Sequence, residues 1–160
     1  MAKPKKIKAP DGNVVVARNR RARHDYEVEE TVEAGIVLAG TEVKGLRAGR
    51  AAIDQAYARI VNGEVWLIDA NIPEYAAASF MNHRPQARRK LLLHRRQIQK
   101  IETRLQGSGR TLIPLQIHFT ERGIAKVVIA IARGRRRQDK RSEAAKREAG
   151  REIQRSLGDR

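Results

Sequence analysis

The side chains in this sequence that could do chemistry are four histidines (His24, His83, His94 and His118), a run of carboxylates at Glu27, Glu29, Glu30 and Glu33, and a large excess of arginine and lysine. The histidines share no metal-ligand spacing, and the chain has no Gly-rich phosphate loop and no nucleophile elbow. It also has no cysteine, which excludes a disulfide scaffold, a Cys-ligated zinc site and a cysteine nucleophile, and which fits a reducing compartment. His94 reads as a neighbour of a helix core and His118 as a side chain pointing off a strand. Glu27 and Glu29 share one face of a strand among bases, so charge pairing suits them better than general acid or base work. Nothing here calls for an enzyme, a metal or a cofactor.

The cations carry more information. Lys plus Arg number 34 against 18 Asp plus Glu in 160 residues, a formal charge of +16. Residues 1–24 hold eight basic groups against one acid, and residues 133–160 hold eleven against five, so most of the excess sits in the two ends. Such arms make phosphate contacts whose strength falls steeply with salt. A self-repelling charge of this size points to a polyanionic partner. No apolar run approaches the roughly 20 residues of a membrane span. The start, MAKPKKIKAPDGN, has charge but no apolar stretch behind it, which speaks against a secretory signal. The expectation is a cytoplasmic, nucleic-acid-binding protein.

These side chains need a scaffold, and the pattern supplies one. Residues 1–12 have neither periodicity nor apolar content and are expected to be a disordered basic arm. Val14 to Ala17 reads as a short strand, followed by Asn19 as a side-chain cap for one helical turn over Arg20 to Arg23. Tyr26 to Leu38 reads as a strand bulged near Gly35. Thr41 to Ala48 fits a short helix with Thr41 as its cap and Gly49 as its stop. Asn62-Gly63 between Ile53–Val61 and Glu64–Asp69 marks a hairpin, and residues 73–85 read as a surface loop. Leu91, Ile98, Ile101 and Leu105 then predict an amphipathic helix over 88–106, with His94 on its stripe and Gly107 as its stop. Leu112–Thr120 and Ile124–Ala132 form a second hairpin around a three-residue turn. Six strands that must avoid open edges favour a mainly β fold, a small antiparallel barrel of the oligonucleotide-binding type with flanking helices.

On the predicted 88–106 helix, Leu92 sits about 100° from the buried stripe, among Arg88, Arg89, Arg95, Arg96 and Gln99. Two readings fit it: an exposed apolar contact inside a basic patch, as structured RNA would use, or one edge of a wide core stripe with Leu93. The tail from Arg133 has good helix propensity and a narrow stripe at Ala145, Ala149, Ile153 and Leu157 beside a basic face. With so little to bury, it is expected to be disordered alone and helical against an anionic partner.

Beyond these patterns, the string from Asn19 to Tyr26 (NRRARHDY) and the block from Glu29 to Gly49 (EETVEAGIVLAGTEVKGLRAG) closely resemble the small protein B family, the tmRNA-binding (SsrA-binding) proteins of bacteria. GEVWL at 63–67, RKLLLH at 89–94, the final hairpin and GRRRQDKR at 134–141 continue the resemblance over nearly the whole chain. It implies a six-stranded antiparallel barrel related to the oligonucleotide-binding fold, about three flanking helices and an unstructured tail. A domain over 13–132 would bind tmRNA, and the tail, 133–160, would become helical on the ribosome. The implied function is not enzymatic. Such a protein binds the tRNA-like domain of tmRNA, stands in for its missing anticodon arm and, with EF-Tu, brings alanyl-tmRNA to stalled ribosomes for peptide tagging.

The tmRNA-binding residues implied by the resemblance are Asn19, Arg20, Arg21 and Arg23, Glu33, Leu92 and Lys126. The implied ribosome-acting tail motif is Gly134, Arg135, Arg136, Arg137, Gln138, Asp139, Lys140 and Arg141, where Gln138 departs from the Tyr or His often found in relatives. A generic basic, ribosome-associated RNA-binding or RNA-chaperone protein is the rival reading, and it would bind RNA according to length and charge.

Overall fold

Alternating apolar residues and their turn signals generate eight strands and four helices among the described residues. In chain order these are β1 (Ile7–Lys8), β2 (Val14–Arg18), α1 (Ala22–Asp25), β3 (Tyr26–Ile36), α2 (Gly40–Arg47), β4 (Tyr57–Val61), β5 (Glu64–Ile68), β6 (Arg89–Leu92), α3 (Arg95–Leu105), β7 (Arg110–Phe119), β8 (Ala125–Gly134) and α4 (Arg137–Gly158). The structure is a computed structural model that describes residues 7–8, 12–78, 80–107 and 109–158, with backbone alone at 7–8 and 137–140.

All pairings are antiparallel, in the order β1-β2-β7-β4-β5-β6-β3-β8, and β7 also pairs with β8. The strands from β3 to β8 therefore return on themselves in a closed ring. The β1-β2 pair extends the free part of the β7 edge, with Val14 opposite Phe119 and Val15 opposite His118. Most of the expected arm over 1–12 lies outside the described residues, but Ile7–Lys8 pairs with Val14–Val15.

Inside the ring lies a core of aliphatic side chains that includes Ala34, Ile36, Val65, Leu67, Leu91, Leu112, Ile117, Val127, Ile129 and Ile131. The period of two explains this set, since alternate residues of β3 and β8 point inward and their neighbours outward. A smaller cluster forms on the outer face, where Ala22 of α1 packs on Ile113, Ala130 and Ala132.

Several expectations need correction. The bulge in β3 falls between Val28 and Glu30, not near Gly35. Helix α2 begins at Gly40, and its first turn is capped by Glu42, whose Oε2 accepts the Ala39 N–H at 2.8 Å, while Thr41 instead meets His83 Nδ1 at 2.9 Å. The expected helix over 88–106 is two elements. Arg89–Leu92 is a strand between β5 and β3, and only Arg95–Leu105 is helical. Leucine favours helix, but the gap in the sheet between β5 and β3 offers this segment two ladders, and tertiary pairing overrides propensity. His94 accordingly sits exposed at the start of α3, where its N–H donates to Gln97 Oε1 at 3.0 Å. The Asn62-Gly63 hairpin forms as expected, with φ of 51° and 75°.

Most of the tail is the helix α4. Ile153 and Leu157 stay 59% and 71% exposed, so propensity and local pairs such as Glu143 with Arg147 sustain the helix more than packing does.

Candidate nucleic-acid interface

Register alone brings three of the sequence-predicted residues, Glu33, Leu92 and Lys126, onto one face of the sheet. Gly35 of β3 lies opposite Leu92 of β6 on one side and Lys126 of β8 on the other. Lys126 in turn lies opposite His118 of β7. Glu33 is two residues before Gly35 and so shares its outward face. A further two residues back, Thr31 reaches the groove beside α1. The row Leu92, Gly35, Lys126 and the column Gly35, Glu33, Thr31 thus define one face running from β6 towards the arginines at α1, with His118 buried at its β7 end.

Gly35 lets Leu92 lie across the strand. A Cβ on residue 35 would stand 3.2 Å from Leu92 Cβ, closer than ordinary contact. Leu92 is 53% exposed, which answers one part of the question left by the sequence: it is an open apolar side chain and not part of the core. It reaches that position from the end of a strand, not from a helix.

Glu33 is half-exposed. Its Oε1 lies 3.4 Å from Lys126 Nζ, and its Oε2 lies 3.2 Å from Nε2 of the buried His118. Glu29 and Glu30 of β3 meet cations of β7 and α3. Glu29 accepts from Arg110 Nε at 2.6 Å, and Glu30 meets Lys100 Nζ and Arg104 Nη1 at 2.9 Å each. The hydrogen bond from Lys100 is the main cause that holds the Glu30 carboxyl below its ordinary 4.5; burial opposes it, and the charges of Arg104 and Lys100 add to it. The pair with Arg110 bears out the charge-pairing reading for Glu29.

At the α1 end, a groove of about 630 Å³ is lined by Arg18, Asn19, Arg20, Arg23, Thr31, Leu115, Gln116 and Val128. A second groove continues past Arg23 and Thr31 to Tyr26, Glu27, Arg135 and Arg147. Arg20, Arg21 and Arg23 are exposed, as a phosphate-binding set must be. Asn19 is different. It is 8% exposed, and its Nδ2 donates to the Pro114 carbonyl at 3.1 Å while its Oδ1 accepts the Ala22 N–H at 3.0 Å. Its backbone N–H also donates to Leu115 O at 2.8 Å. The expected helical turn over Arg20 to Arg23 is instead Ala22–Asp25, with Arg21 at its N-cap; Asn19 does bond the entry to that turn, but its buried side chain is not open to a ligand.

Sequence reasoning missed what holds β6 in place. Arg89, read as part of a surface patch, is 2% exposed. Its Nε donates to Glu42 Oε1 at 2.7 Å, its Nη1 to Ala70 O at 2.6 Å and its Nη2 to Pro85 O at 3.0 Å. His83 clamps the same loop, with Nε2 donating to Ile72 O at 2.8 Å. The signal available was the loop before β6: its backbone carbonyls need donors if they are buried, and arginine carries five.

The SmpB protein family profile matches residues 16–159. The chain belongs to the SmpB family. An SsrA-binding protein of Thermobifida fusca is 54% identical over 98% of each chain, and one of Nitrobacter hamburgensis is 54% identical over 89% of this chain and 91% of its own. Among solved structures, a chain from "tmRNA-SmpB: a journey to the center of the bacterial ribosome" superposes with a TM-score of 0.64 at 47% identity, over 78% of this chain and 90% of that one.

The tail motif of this SmpB-family chain starts where the sheet ends. Gly134 lies opposite Tyr26, and the Arg135 N–H donates to Asp25 O at 2.9 Å. Arg135 Nη1 lies 3.4 Å from Glu143 Oε2, which anchors the beginning of α4. Arg136 and Arg141 are exposed, and the side chains of Arg137, Gln138, Asp139 and Lys140 lie outside the described residues. The described residues contain no cluster of His, Cys, Asp and Glu able to hold a metal ion, and none of their helices is long and apolar enough to cross a membrane.

Proposed function

We propose that the chain is a cytoplasmic, non-enzymatic RNA-binding protein of trans-translation. It binds the tRNA-like domain of tmRNA and, with EF-Tu, brings alanyl-tmRNA to ribosomes stalled on messages without a stop codon. The observation that carries this reading is membership of the SmpB family over residues 16–159, together with relatives named SsrA-binding proteins at 54% identity over almost the full length. The site supports it. Arg20, Arg21 and Arg23 supply phosphate contacts, Leu92 supplies an apolar surface for an unpaired base, and Glu33 with Lys126 supplies a paired acceptor and donor between them. Asn19 acts as a positioning residue for the arginines. We read the closed ring of β3 to β8 as a barrel of the oligonucleotide-binding type.

The division of labour belongs to the same proposal. An arm over 1–12 adds affinity, the body over 13–132 holds tmRNA, and the tail over 133–160 acts at the decoding centre and in the message channel, where its helix is stabilised. Gln138 stands where relatives often carry a ring, and there it offers an amide for hydrogen bonding in place of stacking. The test is a reconstituted translation reaction on a message lacking a stop codon. The full chain supports peptide tagging, whereas a chain ending at Arg133, and the variant Arg141→Ala, still bind tmRNA but do not. Tagging by the truncated chain would overturn the assignment of the tail.

A further inference from the structure

The RNA-facing surface is underlain by a histidine that none of the roles above uses. His118 keeps only 2% of its side chain exposed, and among the described residues neither ring nitrogen has an aligned hydrogen-bond partner. A buried imidazole whose N–H finds no acceptor is unfavourable, and buried polar atoms seldom stay unpaired. Its Nε2 lies 3.2 Å from Glu33 Oε2, so a small turn of the half-exposed Glu33 side chain brings the two into line. Cross-strand neighbours fix the other side of this arrangement. Lys126 faces His118 from β8 and Val15 faces it from β2, and of these Lys126 also approaches Glu33, at 3.4 Å.

We propose that His118 is the positioning residue that fixes the Glu33 carboxylate on the RNA-facing surface, so that Glu33 accepts from N–H or O–H donors of an RNA base edge or ribose and turns phosphates away. The proposal rests on the reading of this face as the tmRNA contact. The imidazole Nε2–H engages Oε2, which leaves Oε1 and the remaining lone pairs directed outward beside Lys126. A long glutamate side chain on an open surface otherwise samples several rotamers, and ordering it on binding costs affinity. The Lys126 contact is exposed and too weak to do this alone. A fixed carboxylate set in a basic field is a device for selectivity: phosphates are drawn to Arg20 and Arg23, and only a donor group is tolerated at Glu33.

The experiment uses the full chain with His118→Phe, which keeps volume but removes the donor, and His118→Gln, whose amide reaches the place of Nε2. Each is made with Glu33 intact and with Glu33→Gln. In the free protein, side-chain three-bond couplings report one dominant Glu33 rotamer for the parent and His118→Gln, and rotamer averaging for His118→Phe. Binding of the tRNA-like domain weakens roughly fivefold to tenfold in His118→Phe, about one hydrogen bond's worth. It is largely restored in His118→Gln, and the loss disappears in the Glu33→Gln background. An equal loss in both backgrounds, absence of rescue by His118→Gln, or an equally ordered Glu33 in His118→Phe would overturn the proposal in favour of simple packing. If His118→Phe does not fold, the Nε2 resonance decides instead: it moves on Glu33→Gln when the pair exists and stays put when it does not. A parent protein that shows no preference for the tRNA-like domain would defeat the functional reading, while the rotamer and resonance measurements would still settle the role of His118.

Discussion

Replacing Arg89 with methionine tests what seats β6, the strand that carries Leu92. Arg89 and Glu42 are 2% and 7% exposed, and the same guanidinium serves the carbonyls of Ala70 and Pro85. Arg89→Met removes the cation and leaves the Glu42 carboxylate buried, with the Ala39 N–H as a remaining bond at 2.8 Å. Breaking a buried pair from one side costs about 3–5 kcal/mol, against a total domain stability of roughly 5–15 kcal/mol. With a urea slope of about 2 kcal/mol/M, the unfolding midpoint falls by about 1.5–2.5 M. Urea titration followed by circular dichroism and by the fluorescence of Trp66 measures it. Adding Glu42→Leu removes the stranded charge and recovers a large part of the loss, because much of the penalty belongs to the unpaired ion. A loss below about 1 kcal/mol in Arg89→Met, or a double variant no more stable than the single one, would refute the reasoning.

Further outcomes follow from the same geometry. Glu30 has its carboxyl held below 4.5, so the folded protein binds fewer protons there than the unfolded chain; its stabilising contribution is complete above 4.5 and is lost as the pH falls through the lower folded value. Thermal melts over roughly pH 5 to 3 should therefore fall less steeply for Glu30→Gln than for the parent. Leu92→Ala changes stability by no more than about 0.5 kcal/mol, since the side chain is exposed, but weakens binding of the tRNA-like domain by about tenfold, the size of burying one leucine side chain against a base. Gly35→Ala pushes on Leu92 Cβ from 3.2 Å and lowers the same affinity while leaving the arginines in place. Calorimetric titration of both variants, with the unfolding midpoint as control, separates binding from folding.

The strand pattern, both hairpins and the basic ends were legible because period two and turn chemistry are local. The ring was not. Six strands were expected, but they included β2 and omitted β6, whereas the circuit closes through Arg89–Leu92 and β2 lies outside it. A run of three leucines followed by a helical stripe does not say where strand gives way to helix; that is decided by a vacancy between β5 and β3 that only the assembled sheet creates. The same misreading put Arg89 on the surface. Leu92, by contrast, was singled out for the right property, an apolar side chain among bases, although the element under it was wrong. The Asn19 bond to the turn that follows it was legible, although Arg21 holds the N-cap of α1. That Asn19 also bonds to Pro114, distant in sequence, was not. His118 shows the same limit, because its burial depends on which strands flank β7.

The central claim is specific recognition of the tRNA-like domain, and competitive binding tests it most directly. The protein is titrated against labelled tRNA-like domain of tmRNA at physiological salt, with bulk tRNA in excess. Retention of the labelled RNA against that excess is the predicted result. Displacement by bulk tRNA in proportion to its charge would leave a generic basic RNA binder and contradict the account.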